Sequence, residues 1–96
     1  MTEVPSLAQH RWPVLDGSRP LLLVPVGSTE QHGPALPLGA DTMIATSVTQ
    51  EVARRLVDDG RHVLVAPAVG YGASGEHEGF PGTISIGREA LGLMLV

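Results

Sequence analysis

Leu21-Leu22-Leu23-Val24-Pro25-Val26, followed at once by Gly27-Ser28-Thr29-Glu30-Gln31-His32-Gly33-Pro34, is the stretch on which the fold turns. Its first six residues are a continuous apolar run that begins directly after Pro20. A short run without polar alternation suits a strand buried on both faces, the pattern of a parallel sheet. Pro25 has no N–H to give to a ladder, so pairing is expected to weaken near the strand's end. Residues 27–40, with Gly27, Gly33, Pro34, Pro37 and Gly39, read as a loop.

Downstream, Asp41 reads as a helix N-cap with Thr42 opening the helix. Ile44, Val48, Val52 and Leu56 recur every four residues, and Ala45 and Ala53 widen the stripe. That pattern predicts an amphipathic helix ending near Asp59, with Gly60 just beyond it. Residues 62–69 predict a second strand with an apolar centre, and strand–helix–strand at this spacing predicts a right-handed βαβ unit. Residues 70–82 form a second glycine-rich loop, 83–86 suit a short strand, and from Arg88 the chain is apolar and helix-compatible. Leu91, Leu93, Met94, Leu95 and Val96 need something to pack against, which points to a truncated domain. Upstream, residues 1–20 read as a polar lead-in broken by Pro5, Pro13, Gly17 and Pro20, with Trp12 assigned to packing. The expected organisation is therefore a lead-in over 1–20 and the N-terminal part of one larger domain over 21–96.

Ninety-six residues suffice for one small domain, and 43% apolar content is that of a globular chain. With one Phe, one Trp and one Tyr, the core must be aliphatic. Ten acids against six arginines and no lysine give a net charge of −4, and the arginines are scattered, so no basic stripe for nucleic acid is expected. The absence of cysteine leaves only His and carboxylates as ligands for a metal. Residues 1–19 lack a basic region followed by an apolar one, and the apolar runs are far too short to span a bilayer. A soluble cytoplasmic protein with no membrane partner is the expectation.

Glu30 and His32 lie two residues apart just past the first strand, where ligands bind in open α/β sheets. A turned backbone can aim both at one point, and the Asp41 carboxylate can swing back across the same strand end. Two carboxylates and an imidazole suit a borderline divalent cation, and a carboxylate such as Asp41 can bridge two of them. The same residues also fit a plain loop, with Asp41 as a cap and Glu30 and His32 in solvent. Spacing alone suggests the site and does not establish it.

The run Val24-Pro25-Val26-Gly27-Ser28-Thr29-Glu30-Gln31-His32-Gly33-Pro34, then Leu36-Pro37-Leu38 and Asp41, closely resembles the signature of the creatininase family. The later run His77-Glu78-Gly79-Phe80-Pro81-Gly82-Thr83-Ile84-Ser85 resembles that family's second N-terminal signature. The resemblance implies a three-layer α/β/α sandwich with a mainly parallel sheet, of which residues 21–96 would be the N-terminal portion, assembled as a homo-oligomer, often a hexamer. It implies hydrolysis of amide C–N bonds with two divalent ions (Zn, Mn or Fe), Glu30 binding one, His32 the other and Asp41 both. No position after Asp41 matches the family's later His and Glu ligands, and no catalytic residue is carried over. Ala35 stands where the family often has His, a change that bears on substrate and not on these ligands. Ser74-Gly75-Glu76-His77 looks most like the peptidase-like members that mature the mycofactocin precursor peptide. The implied substrate is thus a modified peptide, with creatinine or another small amide as the alternative, or an inactive fragment that only associates with a longer homologue. His77 is a candidate substrate contact.

Gly70-Tyr71-Gly72-Ala73-Ser74-Gly75 matches a dinucleotide fingerprint, but Gly79, Pro81 and Gly82 sit where its helix should run. Ser28 lies outside a nucleophile elbow. His10 and His62 carry no assignment.

Overall fold

The computed structural model describes residues 3–96. In chain order it contains a 3₁₀ turn at Leu7–Gln9, a short helix α1 (Trp12–Leu15), strand β1 (Leu21–Leu23), helix α2 (Ala40–Asp58), strand β2 (Val63–Val65), a 3₁₀ turn at Gly75–His77 and helix α3 (Gly87–Leu95). β1 and β2 run parallel, Leu21 facing Val63, Leu22 facing Leu64 and Leu23 facing Val65. The expected strand–helix–strand unit is therefore present.

The ladder loosens near Pro25, as expected, and also at Pro67 within the strand expected over 62–69. Past Leu23 and Val65 the two strands part at Pro25 and Pro67, then meet again at Val26 and Val69. That second meeting lies three residues on from Leu23 but four on from Val65, so one strand carries an extra residue, as in a bulge. The Val69 N–H donates to the Pro25 carbonyl at 2.9 Å and the Gly27 N–H to the Val69 carbonyl at 2.8 Å. On the other side of β2, Ser6 forms a parallel bridge to Val65, whose N–H donates to the Pro5 carbonyl.

β2 thus has a neighbour on each side, and all three of its residues are buried. The double burial expected of residues 21–26 is not found: Leu21 and Leu22 are 44% and 46% exposed, because β1 is an edge among the described residues.

The face of α2 also differs from expectation. Ala53, with no exposed surface, packs with Leu56 and Val57 on Val63, Val65, Leu23 and Val4. Ile44, Val48 and Val52 are exposed. A four-residue spacing overshoots the 3.6-residue turn by about 40° per step, so Ile44 and Leu56 lie about 120° apart around the helix. Leu56 reaches the sheet and Ile44 turns away. The helix also begins earlier than expected. Gly39 is the N-cap, without a side-chain cap bond, and Asp41 sits inside the first turn with its carboxylate engaged elsewhere.

The helix ends as predicted. Gly60, at φ +82°, donates to Val57, and Arg61 donates to Leu56, the paired bonds of a Schellman motif. Beyond β2, the expected strand over 83–86 reduces to single bridges, Ile84 with Thr29 and Ser85 with Gly72. α3 buries no residue, and Trp12, expected to pack, is 76% exposed. Among the described residues no helix is long and apolar enough to cross a membrane.

Candidate metal centre

Gly27 makes the last sheet bond before the chain leaves the strand ends. A Cβ at Gly27 would overlap the backbone of Thr42, so only glycine lets this strand end abut the first turn of α2. The Thr42 hydroxyl donates to the Ser28 carbonyl at 3.0 Å. The Ser28 hydroxyl donates to Asp41 Oδ2 at 2.8 Å. Thr29 donates from Oγ1 to the Gly70 carbonyl, and the Glu30 N–H donates to the Leu38 carbonyl. Residues 27–30 are therefore tied to α2, to the second glycine-rich loop and across their own loop.

This bracing brings Glu30, His32 and Asp41 together, with one ligand atom from each within 4.8 Å of the others. His32 Nδ1 lies 3.8 Å from Asp41 Oδ2. Glu30 is the most sheltered, its side chain 15% exposed, against 32% for Asp41 and 36% for His32. The hydrogen bond from Ser28 holds the Asp41 carboxyl below its ordinary value of 3.8; the nearby Glu30 side chain adds to this, partial burial opposes it, and His32 and His77 contribute smaller attractions. Two carboxylates this close repel when both are ionised, which a shared proton or a cation relieves. The donor set is oxygen, oxygen and imidazole nitrogen, partly sheltered but open on one side, and it fits a borderline divalent ion.

His77 comes from the second loop to the back of this cluster. Its Nε2 lies 3.6 Å from Glu30 Oε2 and its Nδ1 lies 2.9 Å from Gln31 Nε2. Gln31 also receives a hydrogen bond from the Gly33 N–H at Oε1 and donates its own N–H to Thr83 Oγ1. The two signature runs are thus packed against each other, with Ile84 donating to the Thr29 carbonyl at 2.9 Å. Sequence reasoning missed Gln31, Thr83 and the supporting role of Ser28. Their partners are remote in the chain, and no local pattern marks them. A cavity of about 260 Å³ opens beside His32, lined also by Leu36, Pro37, Ala40, Met43 and Ile44. The Gly70–Gly75 run carries only the 3₁₀ turn Gly75–His77 after it, not the helix a dinucleotide fold needs.

The family model for creatininase (creatinine amidohydrolase) matches residues 8–96. The mycofactocin precursor peptide peptidase of Mycolicibacterium smegmatis is 62% identical over 78 residues, covering 80% of this chain and 32% of that protein. The protein of the same name from Mycobacterium tuberculosis (strain CDC 1551 / Oshkosh) is 53% identical over 87 residues, covering 85% and 35%. Among solved structures, a mutant creatininase complexed with creatine superposes with a TM-score of 0.79 at 29% identity, over 97% of this chain and 37% of that one. A mutant creatininase of Zn–Zn type gives 0.71 at 28%, over 90% and 35%. The chain spans about a third of the length of the curated relatives it matches.

Proposed function

The chain belongs to the creatininase family, and on that premise we propose that Glu30, His32 and Asp41 hold divalent metal in a hydrolase of amide or peptide C–N bonds whose substrate is the mycofactocin precursor peptide. The convergence of those three side chains on one point carries the metal part of this proposal. The 62% identity to a precursor peptide peptidase supports the substrate, and the Zn–Zn form of a neighbour supports a two-ion site. A homo-oligomer in the cytoplasm goes with the same proposal.

When bound, divalent ions at such a site polarise a carbonyl and make water nucleophilic at neutral pH. The protein's part is to hold the donors. Glu30 would hold one ion, His32 the other and Asp41 both. Asp41 reaches the cluster from the helix's first turn, and its ligand atom lies within 4.8 Å of those of Glu30 and His32. Ser28 fixes Oδ2 by its hydrogen bond and so limits the carboxylate's rotation. The apolar cavity beside His32 offers a dry wall for a substrate side chain.

Elemental analysis of the purified chain and of a Glu30→Ala, His32→Ala double variant tests the proposal. Near-stoichiometric zinc, manganese or iron in the parent and its loss in the variant is the expected result. Metal in neither would sink the claim that these residues form the site.

A further inference from the structure

We infer that His77 is a positioning residue for Glu30, held by the Gln31 side chain as the tautomer whose ring proton faces the Glu30 carboxylate. The inference rests on the assignment of Glu30 as a metal ligand and says how that ligand is aimed.

The chain of reasoning starts from a group with no choice of role. The Gly33 N–H can only donate, and its acceptor at 2.9 Å is Gln31 Oε1. That contact settles which way the Gln31 amide faces and leaves Nε2 toward His77, 2.9 Å from Nδ1. An amide NH₂ has no lone pair to offer, so His77 Nδ1 must accept and the ring proton sits on Nε2. Nε2 in turn lies 3.6 Å from Glu30 Oε2. At that separation the contact is an N–H dipole aimed at a carboxylate rather than a formed hydrogen bond. It points the ring N–H at one oxygen of the carboxylate and biases which oxygen stays free for an ion.

The backbone holds both ends of this relay. The Gln31 N–H donates to Thr83 Oγ1 at 3.0 Å, and the His77 N–H donates to the Ser74 carbonyl at 2.9 Å. Both ring nitrogens of His77 therefore face protein groups in the chain. Outer partners that orient ligands in this way commonly change metal affinity by about 10- to 100-fold when removed.

The test titrates zinc ion alone into the 96-residue chain and its variants by calorimetry, with melting profiles recorded alongside. His77→Ala should bind zinc about 10- to 100-fold more weakly. His77→Gln, whose side-chain amide can present an N–H near the lost Nε2, should recover most of the loss. Nitrogen-15 spectra of the His77 ring in the metal-free chain should show the Nε2–H tautomer, and Gln31→Glu, which replaces a donor by an acceptor, should shift it to Nδ1–H. Zinc affinity unchanged in His77→Ala, no recovery in His77→Gln, or an Nδ1–H ring in the parent would overturn the role of His77 alone. Absence of zinc uptake by the parent chain would instead overturn the metal site from which the role follows.

Discussion

Ser28 and Asp41 are thirteen residues apart and joined by one hydrogen bond, and that bond is the largest cause of the lowered Asp41 carboxyl. Asp41 titrates below 3.8 in the folded chain, so its ionised form adds stability that is fully present above that value and lost as the pH falls through the lowered one. Ser28→Ala removes the largest cause of the shift, and the folded value moves back up. The acid-unfolding midpoint of the metal-free chain should therefore lie at higher pH in Ser28→Ala than in the parent; circular dichroism across an acid titration checks this, and coincident curves would refute it. That Glu30, His32 and Asp41 lie together could be anticipated from the sequence, because residue type and position at a strand's end are local facts. Gln31 could not, because its role depends on His77, 46 residues away. Asp41 was assigned to capping because a polar residue before an apolar repeat carries that signal. A tertiary partner outcompeted the cap, and Gly39 took the position.

At the scale of elements, the strands, the long helix and its glycine stop were legible, while the helix's orientation was not. Periodicity says that a helix has an apolar side; it does not say which side the sheet takes when two are available. The sheet took the side with Ala53, whose small side chain permits close approach. Ala53→Leu should overfill that contact and destabilise the chain by about 1–3 kcal/mol. Val48→Gln, on the exposed face, should change stability by less than about 0.5 kcal/mol. Urea unfolding of both variants distinguishes this packing from the reverse, in which Val48 would be the costly site. Gly60→Ala places a Cβ on a left-handed residue and should cost about 1–2 kcal/mol in the same assay. The double burial read into residues 21–26 failed for a different reason. An apolar run reports what a strand can tolerate on its faces, while its neighbours decide what covers them.

The whole molecule is open for its length. Its radius of gyration is 15.6 Å, against about 12.5 Å for a compact domain of this size. Its accessible surface is 6773 Å², against about 5,200 Å² for a folded monomer of this mass. The excess corresponds to apolar faces without cover, notably Ile44, Val48 and Val52 on α2 and Leu93, Met94 and Leu95 on α3. The isolated chain should accordingly melt broadly and bind an apolar dye such as ANS before heating; a sharp cooperative melt without dye binding would contradict this. The bridge between Thr29 and Ile84 bears on the cost of folding. It closes a loop of fifty-five residues, whereas α2 and the β1–β2 pair need shorter closures. Closing a loop costs entropy that the contact must offset, and each doubling of its length adds about 0.6 kcal/mol. An ion that binds only when the ligand loop is joined to the second signature would offset that cost and act as a latch across the two loops.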